Sequence, residues 1–358
     1  MKIKKIAVLC NYELLPNRVG GMDYFFWLYD EKCKENSIEV DWFFPNNATH
    51  GGYTKLNIID ANYQNIETFF VHYCERNTEN YSFIITHFVE LCTPVFKRIS
   101  KLSNAKIIAV DHNPRPLNGY SLKKKILKRL KGILYSKYIN IFIGVSQYTV
   151  NEILNDFGGH LKNKVITLYN GVIIEDIVKR EKRNFNAPTF LVASHLRKSK
   201  GIQDLIDAVA ILPDAIKSKI KIDIYGDGPY KTKLLDKVKG KEVVSNFNFK
   251  GSRPNLKDIF HQYDYMLQPT HMECFSLSIL ESLAANVPVI TTNVGGNAEV
   301  IANTQNGFIY EAKNCIELKN IIEKLFLGNI QITTDTRVLI AERFSLNKMV
   351  DNHVNLLK

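Results

Sequence analysis

Along the first half of the chain, short runs of β-branched and aromatic residues alternate with stretches whose apolar positions recur at helical spacing. Strands are predicted at Lys5–Cys10, Glu39–Phe44, Phe83–Thr86, Lys106–Val110, Ile139–Val145 and Val165–Leu168. Helical patterns lie between them, for instance Tyr24–Glu35 and Gln147–Asp156. The alternation predicts βαβ units on a parallel sheet. It breaks at residues 179–188, KREKRNFNAP, which are charged, weakly apolar and closed by a proline, as an interdomain linker would be. The second half repeats the logic. Strands are predicted at Thr189–Ala193, Ile220–Tyr225, Val243–Phe249, Tyr265–Gln268, Pro288–Thr291 and Phe308–Tyr310, with helices at Gln203–Leu212 and Leu277–Ala285. A helical segment at about Asp335–Leu357 closes the chain. The expected fold class is α/β, with two Rossmann-like, doubly wound parallel-sheet domains facing a central cleft. Residues 1–180 form the first, 188–335 the second, and 336–358 a helical segment returning towards the first. Open parallel sheets bind ligands outside the carboxyl ends of their strands.

The length of 358 residues suits two domains. A hydrophobic fraction of 45% and a charged fraction of 23% are ordinary for a globular enzyme. No run of about 18 apolar residues occurs, so no spanning segment is expected. The start, MKIKKIAVLCNYELLP, has only Ile6–Cys10 as an apolar stretch, too short for a signal peptide and better read as a first strand. Cysteines at 10, 33, 74, 92, 274 and 315 form no C-x-x-C pair, which argues against zinc or a disulfide framework and for a reduced, cytoplasmic protein.

The net charge of +11 is unevenly placed. Between His112 and Asn151 there is no acid, against Arg115, Lys123, Lys124, Lys125, Lys128, Arg129, Lys131 and Lys137. Leu122, Ile126, Leu127, Leu130, Ile133 and Leu134 recur there at helical spacing, giving a basic amphipathic helix suited to an anionic membrane surface. The alternative is a solvated face on a helix packed into its domain. No nucleic-acid motif accompanies the patch, so nucleic acid is not the expected partner.

The chemistry concentrates in Pro269–Pro288, PTHMECFSLSILESLAANVP. Glu273 and Glu281 stand in an E-x7-E spacing with uncharged CFSLSIL between them, and the next charge after Glu281 is Glu299. A carboxylate in so apolar a run needs a polar partner or a ligand. A strand ending at Gln268 and a helix starting near Ser276 would aim a helix N-terminus, a ready anion site, into the crevice.

This pattern resembles the nucleotide-sugar site of retaining glycosyltransferases of family four, which have the GT-B fold. The resemblance implies that Glu273 contacts the transferred sugar, Glu281 the ribose, and the amides of Ser276 and Leu277 the diphosphate. The family has glycine on both sides of the phenylalanine, whereas here Cys274 and Ser276 flank Phe275. In SHLRKSKG, Ser194–Gly201, Lys200 matches the family lysine; His195 stands at the usual arginine position and Arg197 two residues on, and Arg197 is the expected phosphate ligand. Gly226, in the turn YGDGP, and Arg253, in GSRPN, fall where the family lines its nucleotide pocket. Gly20-Gly21 falls where the family approaches phosphate or acceptor, and His112, in AVDHNP, where it often has a histidine beside the sugar. His87, at the end of FIITH, is a second candidate. Asn170-Gly171 reads as turn chemistry.

The first domain is thus expected to bind the acceptor, a saccharide or lipid-linked saccharide, and the second the donor. Lys123, Lys124, Lys125, Lys128 and Arg129 would hold the protein peripherally on the inner face of the cytoplasmic membrane, where relatives build O-antigen or capsule. No Asp-x-Asp, P-loop or G-x-G-x-x-G occurs, and neither metal nor cofactor is expected. The alternatives are a nucleotide-sugar epimerase, a phosphorylase using pyridoxal phosphate, and a non-catalytic membrane-binding scaffold.

Overall fold

The computed structural model describes residues 4–17 and 19–358, so the start of the expected first domain at 1–3 lies outside the described residues. The chain forms two compact units. Unit 1 comprises Met1–Gly171 and Leu346–Lys358; unit 2 is Val172–Ser345.

Unit 1 carries strands β1 (Lys4–Cys10), β2 (Ile38–Phe44), β3 (Asn57–Asp60), β4 (Phe83–His87), β5 (Lys106–Asp111), β6 (Ile141–Gly144) and β7 (Val165–Thr167). Its helices are α1 (Gly21–Glu35), α2 (Ile66–Arg76), α3 (Pro94–Leu102), α4 (Leu122–Tyr135) and α5 (Gln147–Phe157). The sheet runs β3-β2-β1-β4-β5-β6-β7, with every pairing parallel. Unit 2 carries β8 (Phe190–Ala193), β9 (Ile222–Tyr225), β10 (Phe247–Gly251), β11 (Tyr265–Gln268), β12 (Val289–Thr292) and β13 (Gly307–Tyr310). Between them lie α6 (Ile202–Ala210), α7 (Asp214–Lys217), α8 (Lys231–Gly240), α9 (Leu277–Ala284), α10 (Asn297–Val300), α11 (Cys315–Phe326) and α12 (Arg337–Arg343). This sheet is also wholly parallel, in the order β10-β9-β8-β11-β12-β13.

Both orders reverse direction once, at β1/β4 and at β8/β11. Such a reversal opens a crevice at the carboxyl ends of the two flanking strands. The central strands explain themselves: IAVLC of β1 and YMLQ of β11 are buried on both faces, as parallel strands covered by helices must be. The strand β3 was not expected. NIID is half-exposed at the sheet edge, so neither alternation nor a continuous apolar run marks it. The strand expected from Val243 begins only at Phe247, after a 3₁₀ turn at Val244–Asn246.

Residues 179–188 do not behave as a free linker. Arg180 is ion-paired with Asp264, which is 1% exposed and also accepts from Thr189 and from the Asn184 amide. Arg183 donates to the carbonyl oxygens of Asn286 and Thr334. These acceptors bind the segment into unit 2, and the crossing lies earlier, at Gly171–Val172. The C-terminal helical segment is two helices. The first, α12, belongs to unit 2, where Arg337 donates to the carbonyls of Ile174, Ile177 and Ala284. The second, α13 (Leu346–Asn355), belongs to unit 1 and lies against α1, with the His353 and Phe25 rings 5.1 Å apart.

Candidate functional site

In unit 2 the segments after β8, β11 and β12 are brought together by backbone contacts that leave no room for a side chain. Gly201 has φ +69°, and a Cβ there would lie 1.6 Å from the Pro269 carbonyl oxygen. Only glycine accepts both conditions. The His271 amide donates to the Ser199 carbonyl at 2.7 Å, so the loop after β11 is seated on the loop after β8. Gly295, at φ +65°, meets the Glu273 carbonyl in the same way, and the Gly296 amide donates to Cys274 O at 2.8 Å. Thr291 and Thr292 donate their hydroxyls to the carbonyls of Gln268 and Thr270.

Within this frame the Lys200 ammonium and Glu273 Oε2 form an ion pair of 2.7 Å, with exposures of 23% and 14%. Gln268 Nε2 lies 2.8 Å from Ser276 Oγ and 3.4 Å from Glu273 Oε2. Ser276 caps α9, its hydroxyl accepting from the Ile279 amide. Among the described residues no acceptor meets the amides of Ser276, Leu277 or Ser278, the free donors expected of a helix start. Cys274 and Phe275 are buried; Phe275 packs on Phe344, and Cys274 is in no disulfide.

Glu281 lies in the second turn of α9. Its side chain is partly exposed, and no hydrogen bond or ion pair reaches its carboxylate among the described residues. Burial alone pushes this carboxyl up to about 7. An apolar helix that keeps an uncompensated carboxyl is the signature of a ligand group more than of a structural one.

The other expected donor residues are placed less uniformly. Arg197 is exposed, with no partner to its guanidinium among the described residues. His195 is exposed on the same loop, and Arg253 is exposed beyond β10. Gly226 serves the backbone: at φ +135° a Cβ would lie 1.9 Å from Ser194 O, and its amide donates to Gly251 O. His271, which sequence reasoning passed over, sits beside Asp204 at the start of α6, and no spacing rule joins residues so far apart. The Gly295-Gly296 pair was as visible in the sequence as Gly20-Gly21.

In unit 1, Gly20 precedes α1 and its amide donates to Asp23 Oδ2; Gly21 opens the helix. Asp23 is fully buried and also accepts from the hydroxyls of Tyr12 and Tyr53. His87 Nδ1 lies 3.0 Å from His112 Nε2, and the His353 ring is 6.2 Å from that of His87. Burial holds all three below the usual histidine range, with His112 lowered to about 4 and His353 to about 3.

The helix α4 turns its apolar stripe outward. Leu122, Ile126, Leu127, Leu130, Ile133 and Leu134 are all more than half exposed. The buried position is Gly132, where a Cβ would lie 2.0 Å from the Phe157 carbonyl of α5. Lys128 faces inward to Asp156 at 3.1 Å, and Arg129 donates to Asn155 O. Lys123, Lys124 and Lys125 are exposed and hold no ion pair among the described residues. No described helix is long and apolar enough to cross a membrane. Among the described residues no cluster of three or more His, Cys, Asp or Glu is arranged to hold a metal ion.

Residues 173–340 match the model of the family described as glycosyl transferases group 1. The chain is 30% identical to an uncharacterized glycosyltransferase of Methanocaldococcus jannaschii over 56% of this chain and 55% of that protein. It is 27% identical to the O-antigen biosynthesis glycosyltransferase WclY of Escherichia coli, over 53% and 54%. The matched stretches span about half or less of the length of these curated relatives. Among solved structures, the Anabaena protein HepE in complex with UDP-glucose superposes with a TM-score of 0.74 over 99% of both chains at 16% identity. At that identity the likeness carries the fold alone: two Rossmann-like parallel-sheet domains, as in GT-B proteins.

Proposed function

Because residues 173–340 match the model of the glycosyl transferases group 1 family, we propose that this protein is a retaining glycosyltransferase that moves a sugar from a nucleoside diphosphate-sugar to an acceptor hydroxyl. The observation that carries the reading is the convergence, at the β8/β11 reversal, of the Lys200–Glu273 pair, the unengaged amides at the start of α9, and the partnerless Glu281 on the same helix. In this reading the amides of Ser276 and Leu277 and the cations of Lys200 and Arg197 receive the diphosphate, whose charge grows as the glycosidic bond breaks. Those cations do the neutralising that a metal ion does elsewhere. Glu281 accepts from the ribose hydroxyls, and Glu273 steadies the sugar as it gains oxocarbenium character. His112 stands at the acceptor side.

The acceptor is proposed to be a lipid-linked saccharide of bacterial surface polysaccharide, on two supports. One is the similarity to an O-antigen glycosyltransferase. The other is α4, whose outward apolar stripe bordered by Lys123, Lys124 and Lys125 fits an anionic lipid surface. That would place the protein peripherally on the inner face of the cytoplasmic membrane.

A thermal-shift screen against UDP-, GDP-, ADP- and dTDP-sugars tests the donor site, since a ligand of the folded state raises the melting temperature. One nucleotide class should stabilise the protein, and Glu273→Gln should keep that shift while lowering kcat with acceptor by about a hundredfold. No shift with any nucleotide would favour a scaffold. Product formed from donor without acceptor would favour an epimerase.

A further inference from the structure

Three donors approach Glu273. Lys200 Nζ and Gln268 Nε2 meet its Oε2 at 2.7 and 3.4 Å, and the Cys274 amide meets Oε1 at 3.3 Å. The first two differ in kind. Lys200 is a charged group on a flexible stem, 23% exposed. Gln268 is the last residue of β11 and 3% exposed. Its backbone carbonyl is held by the Thr291 hydroxyl and its amide group by Ser276 Oγ. Where the related motif has glycine, this chain has Ser276, and that hydroxyl is what anchors the far side of the Gln268 amide.

A diphosphate arriving at the start of α9 competes with Glu273 for Lys200. It carries more charge and more acceptor oxygens than one carboxylate, so the ammonium is drawn to it. Gln268 is neutral and buried, and phosphate has no comparable pull on it. We infer that Gln268 is the positioning residue that keeps the Glu273 carboxylate aimed once Lys200 turns from Glu273 to the diphosphate. The inference rests on the glycosyltransferase reading above. Gln268 touches no reacting atom in it and acts through Glu273.

Gln268→Met tests this, because methionine matches glutamine in length and offers no N–H. Its affinity for the nucleoside diphosphate that stabilises the wild type should stay within about twofold, while kcat falls about tenfold or more. A merely structural role would move both together. Full turnover in Gln268→Met overturns the inference. An equal fall in kcat and in nucleotide affinity also overturns it, since Gln268 would then act through the helix start. If the methionine variant does not fold, Gln268→Asn keeps the amide one methylene short and must show the same split between kcat and affinity. A wild type that binds no nucleoside diphosphate removes the glycosyltransferase reading and this inference together, an outcome distinct from retained turnover.

Discussion

The helices α4 and α9 have apolar residues at the same helical spacing and opposite surroundings. In α9, Ile279, Leu280, Leu283 and Ala284 are 1% exposed or less, and the one charged position, Glu281, is partly open. In α4 six large apolar side chains stand outward, while the position pressed against the protein is a glycine and the inward-facing charge, Lys128, is paired with Asp156. The period of 3.6 establishes that a stretch is helical; it does not say which face is covered. In α9 the polar exception is a carboxyl with no hydrogen-bond or ion-pair partner among the described residues. In α4 the apolar face itself is the unusual surface, because a contiguous exposed apolar stripe needs a partner.

The contrast is broken most directly by truncating one leucine in α9. Leu280→Ala should cost about 2–5 kcal/mol, read by chemical denaturation, because it leaves a cavity in a closed core. A cost below about 0.5 kcal/mol would mean that α9 is not packed as described. Next in size is charge reversal on α4. Replacing Lys123, Lys124 and Lys125 by glutamate should remove about 3 kcal/mol or more of attraction to anionic vesicles, a loss of over a hundredfold in co-sedimentation affinity. Nucleotide binding should be untouched. Equal sedimentation on neutral and anionic vesicles would leave α4 as a solvated helix.

A third test sets the buried titratable groups of the two units against each other. Glu281 has a folded pKa raised to about 7 from 4.5, so its contribution is fully present below about 4.5 and is lost as pH rises through 7. The slope is at most about 1.4 kcal/mol per pH unit. Glu281→Gln should remove that decline. The buried histidines have the opposite sign. With His112 lowered to about 4 and His353 to about 3 from 6.5, their contribution is present above 6.5 and lost as pH falls through those values. Both tryptophans, Trp27 and Trp42, lie in unit 1, so their fluorescence should report the acid transition and not the Glu281 one. A tryptophan transition that moves with Glu281→Gln would contradict this division. The smallest effect belongs to Leu130→Ser on α4, expected within about 0.5 kcal/mol in denaturation because the side chain is already half exposed.

Most strands were legible because parallel strands buried on both faces read as unbroken apolar runs. The edge strand NIID was not, having little core to face. Residues 179–188 misled for a physical reason: their composition is that of a solvated tether, yet Arg180 and Arg183 find acceptors only folding brings near. In the candidate site the E-x7-E spacing, Lys200 and the helix start could be read directly. Gln268 could not, since a neutral amide at a strand end has no signature of its own, and neither could His271 beside Asp204.

The return of α13 to unit 1 orders the making of the protein in time. Ribosomes deliver residues 4–171 early, and their seven strands can pair at once. The face of α1 bearing Phe25 and Tyr29 nevertheless waits for His353, and so for the whole of unit 2 to be synthesised first. The unit begun first is completed last. Through that interval its aromatic face is open to chaperones, and a chain stopped short of Leu346 would carry a finished second unit and a permanently unsealed first one.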